Sequence, residues 1–213
     1  MNSNKTNPIL AKEGWPFLFL GLLSSIFCAY YSITLSLILW VFLVFMIQFF
    51  RDPPRRLPSG KNIVTSAADG KVISIEKTLD LYQNKDAIKI SVFMNVFNVH
   101  SNKIPISGQI ISKFYYPGKF LNASLSKASL ENERCAIIIK TKNNNIVTCV
   151  QIAGLIARRI LCYKDIKDQV SIGERYGFIR FGSRVDLYLP LNASVKVVLG
   201  QKVKNTETVI ATL

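Results

Sequence analysis

From Pro16 to Phe50 the chain runs for 35 residues without one charged side chain, and Gln48 is the most polar member of that run. As a straight helix the run would extend ~52 Å at ~1.5 Å per residue, against a bilayer hydrocarbon core of ~30 Å. One crossing leaves a long excess, and two full crossings would need slightly more. The length favours a tight helical hairpin turning near Ala29 to Thr34, ahead of a single long tilted helix. A cleavable signal peptide fits poorly, because its apolar region is only ~7–15 residues long and ends at a small-residue cleavage site that is missing here. Residues 1–52 therefore read as a membrane anchor.

The flanks orient it. Lys5 and Lys12 precede the run, and Arg51, Arg55, Arg56 and Lys61 follow it closely. A hairpin puts both basic flanks on one side, which the positive-inside rule makes cytoplasmic. A single span, with its denser cluster after the run, retains the C-terminal part on that side too. The expected location is the cell (inner) membrane, with the larger domain facing the cytoplasm. Cys135, Cys149 and Cys162 show no C-x-x-C spacing, and Cys28 lies inside the apolar run, so reduced, buried thiols are expected. The sequons at Asn4, Asn122 and Asn192 carry no meaning on a cytoplasmic domain.

A formal net charge of +14 calls for a partner or a surface. No helix-turn-helix, zinc finger or aromatic-studded basic platform is visible, so nucleic acid is not expected. An anionic membrane surface accounts better for the charge, since each Lys or Arg close to it contributes roughly 1 kcal/mol.

After the proline-rich boundary Asp52–Pro58 the pattern changes to short apolar runs separated by turn residues. The runs are Gly70–Lys77, Ala87–Met94, Gly108–Tyr116, Cys135–Thr141, Ile146–Ile152, Arg158–Tyr163, Tyr176–Phe181, Val185–Leu189, Val195–Leu199 and Thr208–Leu213. Rich in Ile, Val, Tyr and Phe, and in places strictly alternating, they predict a mainly β domain over residues 53–213, an antiparallel barrel or sandwich. A short helix near Leu121–Ala128 is the one helical period beyond the anchor.

Three segments carry chemistry. Asp69-Gly70 sits between apolar runs, where Asp-Gly by itself is an ordinary type I′ turn. His100, in Asn98-Val99-His100-Ser101-Asn102, is the only imidazole in the chain, so any histidine base must be this one. Gly182-Ser183 joins two apolar runs, and a Gly-Ser dipeptide by itself suits a plain hairpin turn. The chain has no Gly-rich nucleotide loop and no metal-ligand cluster. Taken together, Asp69, His100 and Ser183 are the parts of a nucleophilic triad, whatever their order along the chain.

Four features occur in one order: Phe50-Arg51-Asp52-Pro53 after a membrane hairpin, Ala68-Asp69-Gly70, Val99-His100 followed by Pro105, and Arg180-Phe181-Gly182-Ser183-Arg184. In that order, over nearly the whole chain, they resemble the small bacterial phosphatidylserine decarboxylase proenzymes. The resemblance implies autocatalytic serinolysis at Gly182-Ser183. Ser183 is the nucleophile and becomes a covalent pyruvoyl group, with His100 as general base and Asp69 orienting its imidazole. A β chain, residues 1–182, and an α chain, residues 183–213, would stay interleaved in one β structure. The pyruvoyl carbonyl would form a Schiff base with phosphatidylserine, releasing CO2 and phosphatidylethanolamine without pyridoxal phosphate or a metal. Larger family members carry a second histidine three residues before the one matching His100. Phe97 stands there, so no proton donor is carried over at that position.

Two other classes fit parts of the pattern. One is a membrane-anchored serine peptidase or hydrolase using Ser183 in trans, and Ser124-Leu125-Ser126-Lys127 matches S-x-x-K, although its companion motifs are missing. The other is a non-enzymatic, membrane-tethered β domain with Gly-Ser as a turn. Both predict one unbroken polypeptide of 24.0 kDa. The oligomeric state is not fixed by the sequence, and a homo-oligomer stays open.

Overall fold

The computed structural model describes residues 8–124, 128–154, 159–180 and 182–213. Asn4, Lys5, Leu125 to Lys127, Arg158 and Phe181 lie outside the described residues, so the S-x-x-K match and part of the expected 121–128 helix do too. The chain divides after Pro54 into two compact units.

The first unit is a short 3-10 turn, Lys12–Gly14, followed by α1 (Trp15–Tyr31) and α2 (Ile33–Phe49). Pro16 lies in the first turn of α1, where its missing N–H leaves no hydrogen bond unmade. Ser32 breaks the run because its backbone is extended, at φ −155 and ψ 109, and its hydroxyl caps α2 by accepting the Leu35 N–H at 3.4 Å. The apolar run is therefore a helical hairpin that reverses at Ser32. The Ala11 N–H donates to the Phe50 carbonyl at 2.8 Å, and Ser36 Oγ donates to the Ser25 carbonyl at 2.8 Å.

Small residues allow this closeness. A Cβ at Gly14 would fall 2.4 Å from Phe50 Cγ, and one at Gly21 would fall 3.2 Å from Leu43 Cδ1. Phe19, Phe27, Val41 and Val44 point outward and are exposed. Lys12–Tyr31 is long and apolar enough to cross a bilayer, while Ile33–Phe49 is shorter.

The second unit is mainly antiparallel β, as the pattern of short apolar runs predicts. Its strands are β1 (Ile63–Thr65), β2 (Gly70–Asp80), β3 (Lys85–Met94), β4 (Ser101–Lys103), β5 (Gly108–Tyr116), β6 (Arg134–Lys140) and β7 (Ile146–Ala153). They continue with β8 (Ile160–Cys162), β9 (Gln169–Val170), β10 (Arg175–Ile179), β11 (Ser183–Leu189), β12 (Ser194–Val195), β13 (Lys202–Val203) and β14 (Val209–Thr212). One eight-stranded sheet has the order β13-β2-β3-β11-β7-β6-β5-β9. Two three-stranded sheets, β1-β14-β12 and β4-β10-β8, complete the unit. A single helical turn, α3 (Ala128–Glu131), precedes β6.

Side-chain alternation decides which face each strand buries. In β3, Ile88, Ile90, Val92 and Met94 enter the main core, while Lys89 faces out and pairs with Glu76. β11 is buried on both faces. Val185, Leu187 and Leu189 join the main core, and Tyr188 packs on the opposite side with Ala136, Val150 and Ile152. Arg184 and Asp186 share that second face as a buried pair, Nη2 to Oδ2 at 2.9 Å.

The strands left out of the sequence reading, β1, β4, β9 and β13, are two or three residues long and too short to show a period. Val195–Leu199 is shorter than predicted. Its strand ends at Val195, and Val198 and Leu199 are exposed in the turn before β13.

Candidate active site

Strands β10 and β11 follow each other in sequence, yet they do not pair. β10 lies between β4 and β8, and β11 between β3 and β7. Gly182-Ser183 is therefore no hairpin turn; it is where the chain leaves one sheet for another. Gly182 makes the change of direction at φ +66, a left-handed backbone that glycine adopts without strain. A Cβ there would meet nothing within 4 Å, so the glycine is needed for its backbone angles and not for space.

Ser183 opens β11, opposite Met94 on one side and Ala153 on the other, and is fully buried. Its hydroxyl donates to Met94 Sδ at 3.3 Å. A thioether is a weak acceptor, so the Oγ is held without being strongly engaged.

His100 reaches the site through a loop that follows β3. Asn95 Oδ1 accepts the Phe97 N–H at 2.9 Å, Asn98 Oδ1 accepts the Asn95 N–H at 2.9 Å, and the Asn98 N–H donates to the Asn95 carbonyl at 3.0 Å. Such side-chain-to-backbone bonds are what Asn supplies in tight turns. They leave Phe97 62% exposed and carry His100 inward to complete burial. The His100 carbonyl accepts the Ile179 N–H at 3.3 Å, which fastens the histidine to the strand leading into Gly182. Its ring lies 6.5 Å from that of Phe178.

Two neighbours assign the imidazole's tautomer. Nδ1 is 2.9 Å from the Asn98 carbonyl, which can only accept, so Nδ1 carries the proton. Nε2 is then a lone pair, and it accepts the Gly182 N–H at 3.4 Å. The basic nitrogen thus faces the residue that precedes Ser183.

Asp69 lies just ahead of β2. Its Oδ2 accepts Arg55 Nη2 at 2.7 Å, and its Oδ1 accepts the Asn205 N–H at 2.7 Å. Asn205 Nδ2 in turn donates to the Ser101 carbonyl at 3.2 Å. The carboxylate is thereby connected through Asn205 to the residue next to His100. The sequence reading has Asp69 orienting the imidazole; the link through Asn205 runs to the backbone beside His100, and Nδ1 itself lies against the Asn98 carbonyl.

Other chemistry-bearing groups lie elsewhere. A cleft of about 860 Å³, lined by Ser107, Gln109, Lys140, Lys142 and Ser171 among others, contains none of Asp69, His100 and Ser183. It sits at the Lys140–Ile146 end of β6 and β7, whereas Ser183 pairs at the Ala153 end. Cys162 is lowered to about 7 because the Cys135 thiol donates a hydrogen bond to its sulfur, and the same bond pushes the Cys135 thiol up. Among the described residues, no group of three or more His, Cys, Asp and Glu side chains could hold a metal ion.

Sequence reasoning singled out Asp69, Gly182, Ser183 and His100. Met94, Asn98 and Asn205 escaped it, because only sheet register and loop closure bring them to the site.

A model of the family described as phosphatidylserine decarboxylase matches residues 42–211. A phosphatidylserine decarboxylase proenzyme of Cupriavidus taiwanensis is 52% identical over 212 residues, covering 99% of this chain and 98% of the relative. Proenzymes of the same description from Aromatoleum aromaticum and Ralstonia nicotianae are 49% and 50% identical over 214 residues, each covering 100% of both chains.

Proposed function

The chain belongs to the phosphatidylserine decarboxylase family, and from that premise we propose that it decarboxylates phosphatidylserine to phosphatidylethanolamine at a pyruvoyl group that it makes from Ser183. The observation that carries the proposal is the crossover at Gly182-Ser183, where a buried hydroxyl follows a peptide faced by the lone pair of His100.

Self-cleavage needs the chain's own groups and, at its last step, one water. Ser183 Oγ adds to the Gly182 carbonyl carbon and the peptide C–N bond breaks, leaving an ester and the α-amine of residue 183. The hydroxyl proton passes to that amine by way of His100 Nε2, the nitrogen left unprotonated when Nδ1 donates to Asn98. Loss of the α-proton of residue 183 then expels the Gly182 carboxylate, and hydrolysis with release of ammonia leaves the α chain, 183–213, beginning with a keto group. The β chain is residues 1–182.

A pyruvoyl group suits this position on two counts. It needs no ligand set, and burial against the Met94 thioether keeps bulk water from the reacting carbon. When formed, it supplies the electron sink for the bond that breaks as CO2 leaves. Met94 holds the Oγ until it turns toward the carbonyl. Asp69 acts as a positioning residue, holding the Asn205 turn whose amide supports the backbone beside His100.

The substrate stays in a bilayer, and the hairpin α1–α2 anchors the enzyme there. Its basic flanks favour the cytoplasmic side of the cell membrane for the β unit, and the net charge of +14 favours attraction to anionic lipid. The test is CO2 release and phosphatidylethanolamine formation from carboxyl-labelled phosphatidylserine by the purified protein. Activity is expected in the wild type and none in Ser183→Ala. Retention of activity by Ser183→Ala would remove position 183 from the chemistry.

A further inference from the structure

We propose that Gly154, at the end of β7, is a positioning residue for self-cleavage: its bare Cα is the surface against which the Gly182 carbonyl is held for attack by Ser183. The proposal rests on the self-cleavage reading given above. A Cβ at Gly154 would fall 2.1 Å from the Gly182 oxygen and 2.8 Å from the Gly182 carbonyl carbon. Both atoms are backbone, so neither can swing aside as the tip of a flexible side chain can. Gly154 is not among the glycines with positive φ, so space, not backbone angle, requires it. One of its Cα hydrogens lies in the Cβ direction, and the oxygen rests against that C–H group, a weak but directional contact.

The backing of Gly154 is tied down by hydrogen bonds. The preceding residue, Ala153, donates its N–H to the Glu133 carbonyl at 2.9 Å and accepts Asn132 Nδ2 at 2.7 Å. Asn132 is fully buried and also bonds both backbone groups of Leu121, at 2.9 Å and 2.7 Å. On the other side, Arg184 Nη1 donates to the Ala123 carbonyl at 3.2 Å. Ala123 Cβ would lie 3.4 Å from a Cβ at Gly154. A methyl group at position 154 cannot push this frame back, so the Gly182 carbonyl must move by about 1 Å, a misplacement that costs on the order of 10²-fold in a rate that depends on attack geometry.

Gly108 is the matched control. A Cβ there would fall 2.3 Å from the Lys140 carbonyl oxygen, a comparable backbone clash on the same sheet but at the end remote from Ser183. The experiment follows self-cleavage of full-length Gly154→Ala and Gly108→Ala on denaturing gels, with thermal melts of both. The expected result is a similar loss of melting temperature in the two, and cleavage slowed about 10²-fold only in Gly154→Ala. Hydroxylamine, which cuts esters, should release no fragments from Gly154→Ala, because attack on the carbonyl is the blocked step. Adding Ala123→Gly opens room beside the new methyl and should restore part of the rate, although it lowers stability further.

Cleavage of folded Gly154→Ala at the wild-type rate overturns the proposal. So does equal slowing in Gly108→Ala, a hydroxylamine-labile chain, or no rescue by Ala123→Gly. A Gly154→Ala chain that folds in neither background makes the residue a folding requirement and also ends the proposal. A wild-type chain that stays intact would instead overturn the self-cleavage reading itself.

Discussion

At Gly182 the backbone turns through φ +66 with open space where a Cβ would point, whereas at Gly154 the backbone is ordinary and the space is filled by a carbonyl. The same residue type answers two different physical demands about one peptide bond. The first was legible in the sequence, because a Gly-Ser pair between apolar runs marks a change of backbone direction. The second was not, since the closeness of Gly154 to Gly182 arises only from the β7–β11 register. His100 stood out as the only imidazole in the chain, but its tautomer depends on a carbonyl two residues away, which composition cannot reveal. Ser183→Ala should give no cleavage on a gel. His100→Ala should cleave more slowly by ~10²–10⁴-fold, the contribution of a positioned general base. Asp69→Asn should fall between wild type and His100→Ala, because it loosens the Arg55 and Asn205 contacts and leaves Nδ1 with its Asn98 partner. Wild-type processing of His100→Ala would remove that residue from the mechanism. Cys162, lowered to about 7 by the Cys135 hydrogen bond, should be the cysteine of the β unit that iodoacetamide labels first at neutral pH, as peptide mass mapping would read. Preferential labelling of Cys149, which burial pushes up to about 12, would contradict this.

At the level of elements, long strands with alternating burial were readable and very short ones were not. β5 matches its predicted span because nine residues are enough to show a period, while β4 and β13 take their strand form from the neighbours they pair with. The hairpin turn was placed by length alone, and Ser32 supplies the cap that fixes it. β11 carries a buried charge pair, Arg184–Asp186, with both side chains out of reach of solvent. Arg184→Ala should destabilise the β unit by about 3–5 kcal/mol in urea unfolding, since it strands Asp186. A loss near zero would mean that the pair is solvated. Burial also raises Tyr82 to about 12 and Tyr176 and Tyr188 above the ordinary tyrosine value. For these groups the folded pKa exceeds the unfolded one, so their stabilising contribution is complete below the unfolded values and is lost as pH rises. The melting temperature should therefore fall between about pH 10 and 12. A flat profile across that window would contradict the burial of these rings.

For the molecule as a whole, the apolar hairpin and the candidate site residues belong to separate units. Asp69, His100 and Ser183 all lie in the unit that begins at Arg55. Deleting residues 1–50 should leave self-cleavage largely intact. Activity on phosphatidylserine vesicles should fall and become salt-sensitive, as surface attraction decays within ~8 Å at physiological ionic strength. A short-chain soluble phosphatidylserine should be affected much less. Equal losses on both substrates would mean that the hairpin supports the fold itself. The central claim, that the chain cuts its own backbone to make its reactive group, is tested most directly by the intact mass of the purified, denatured protein. The account predicts two fragments divided between Gly182 and Ser183, the smaller without a free α-amino group. Active protein that remains a single chain of 24.0 kDa would contradict it.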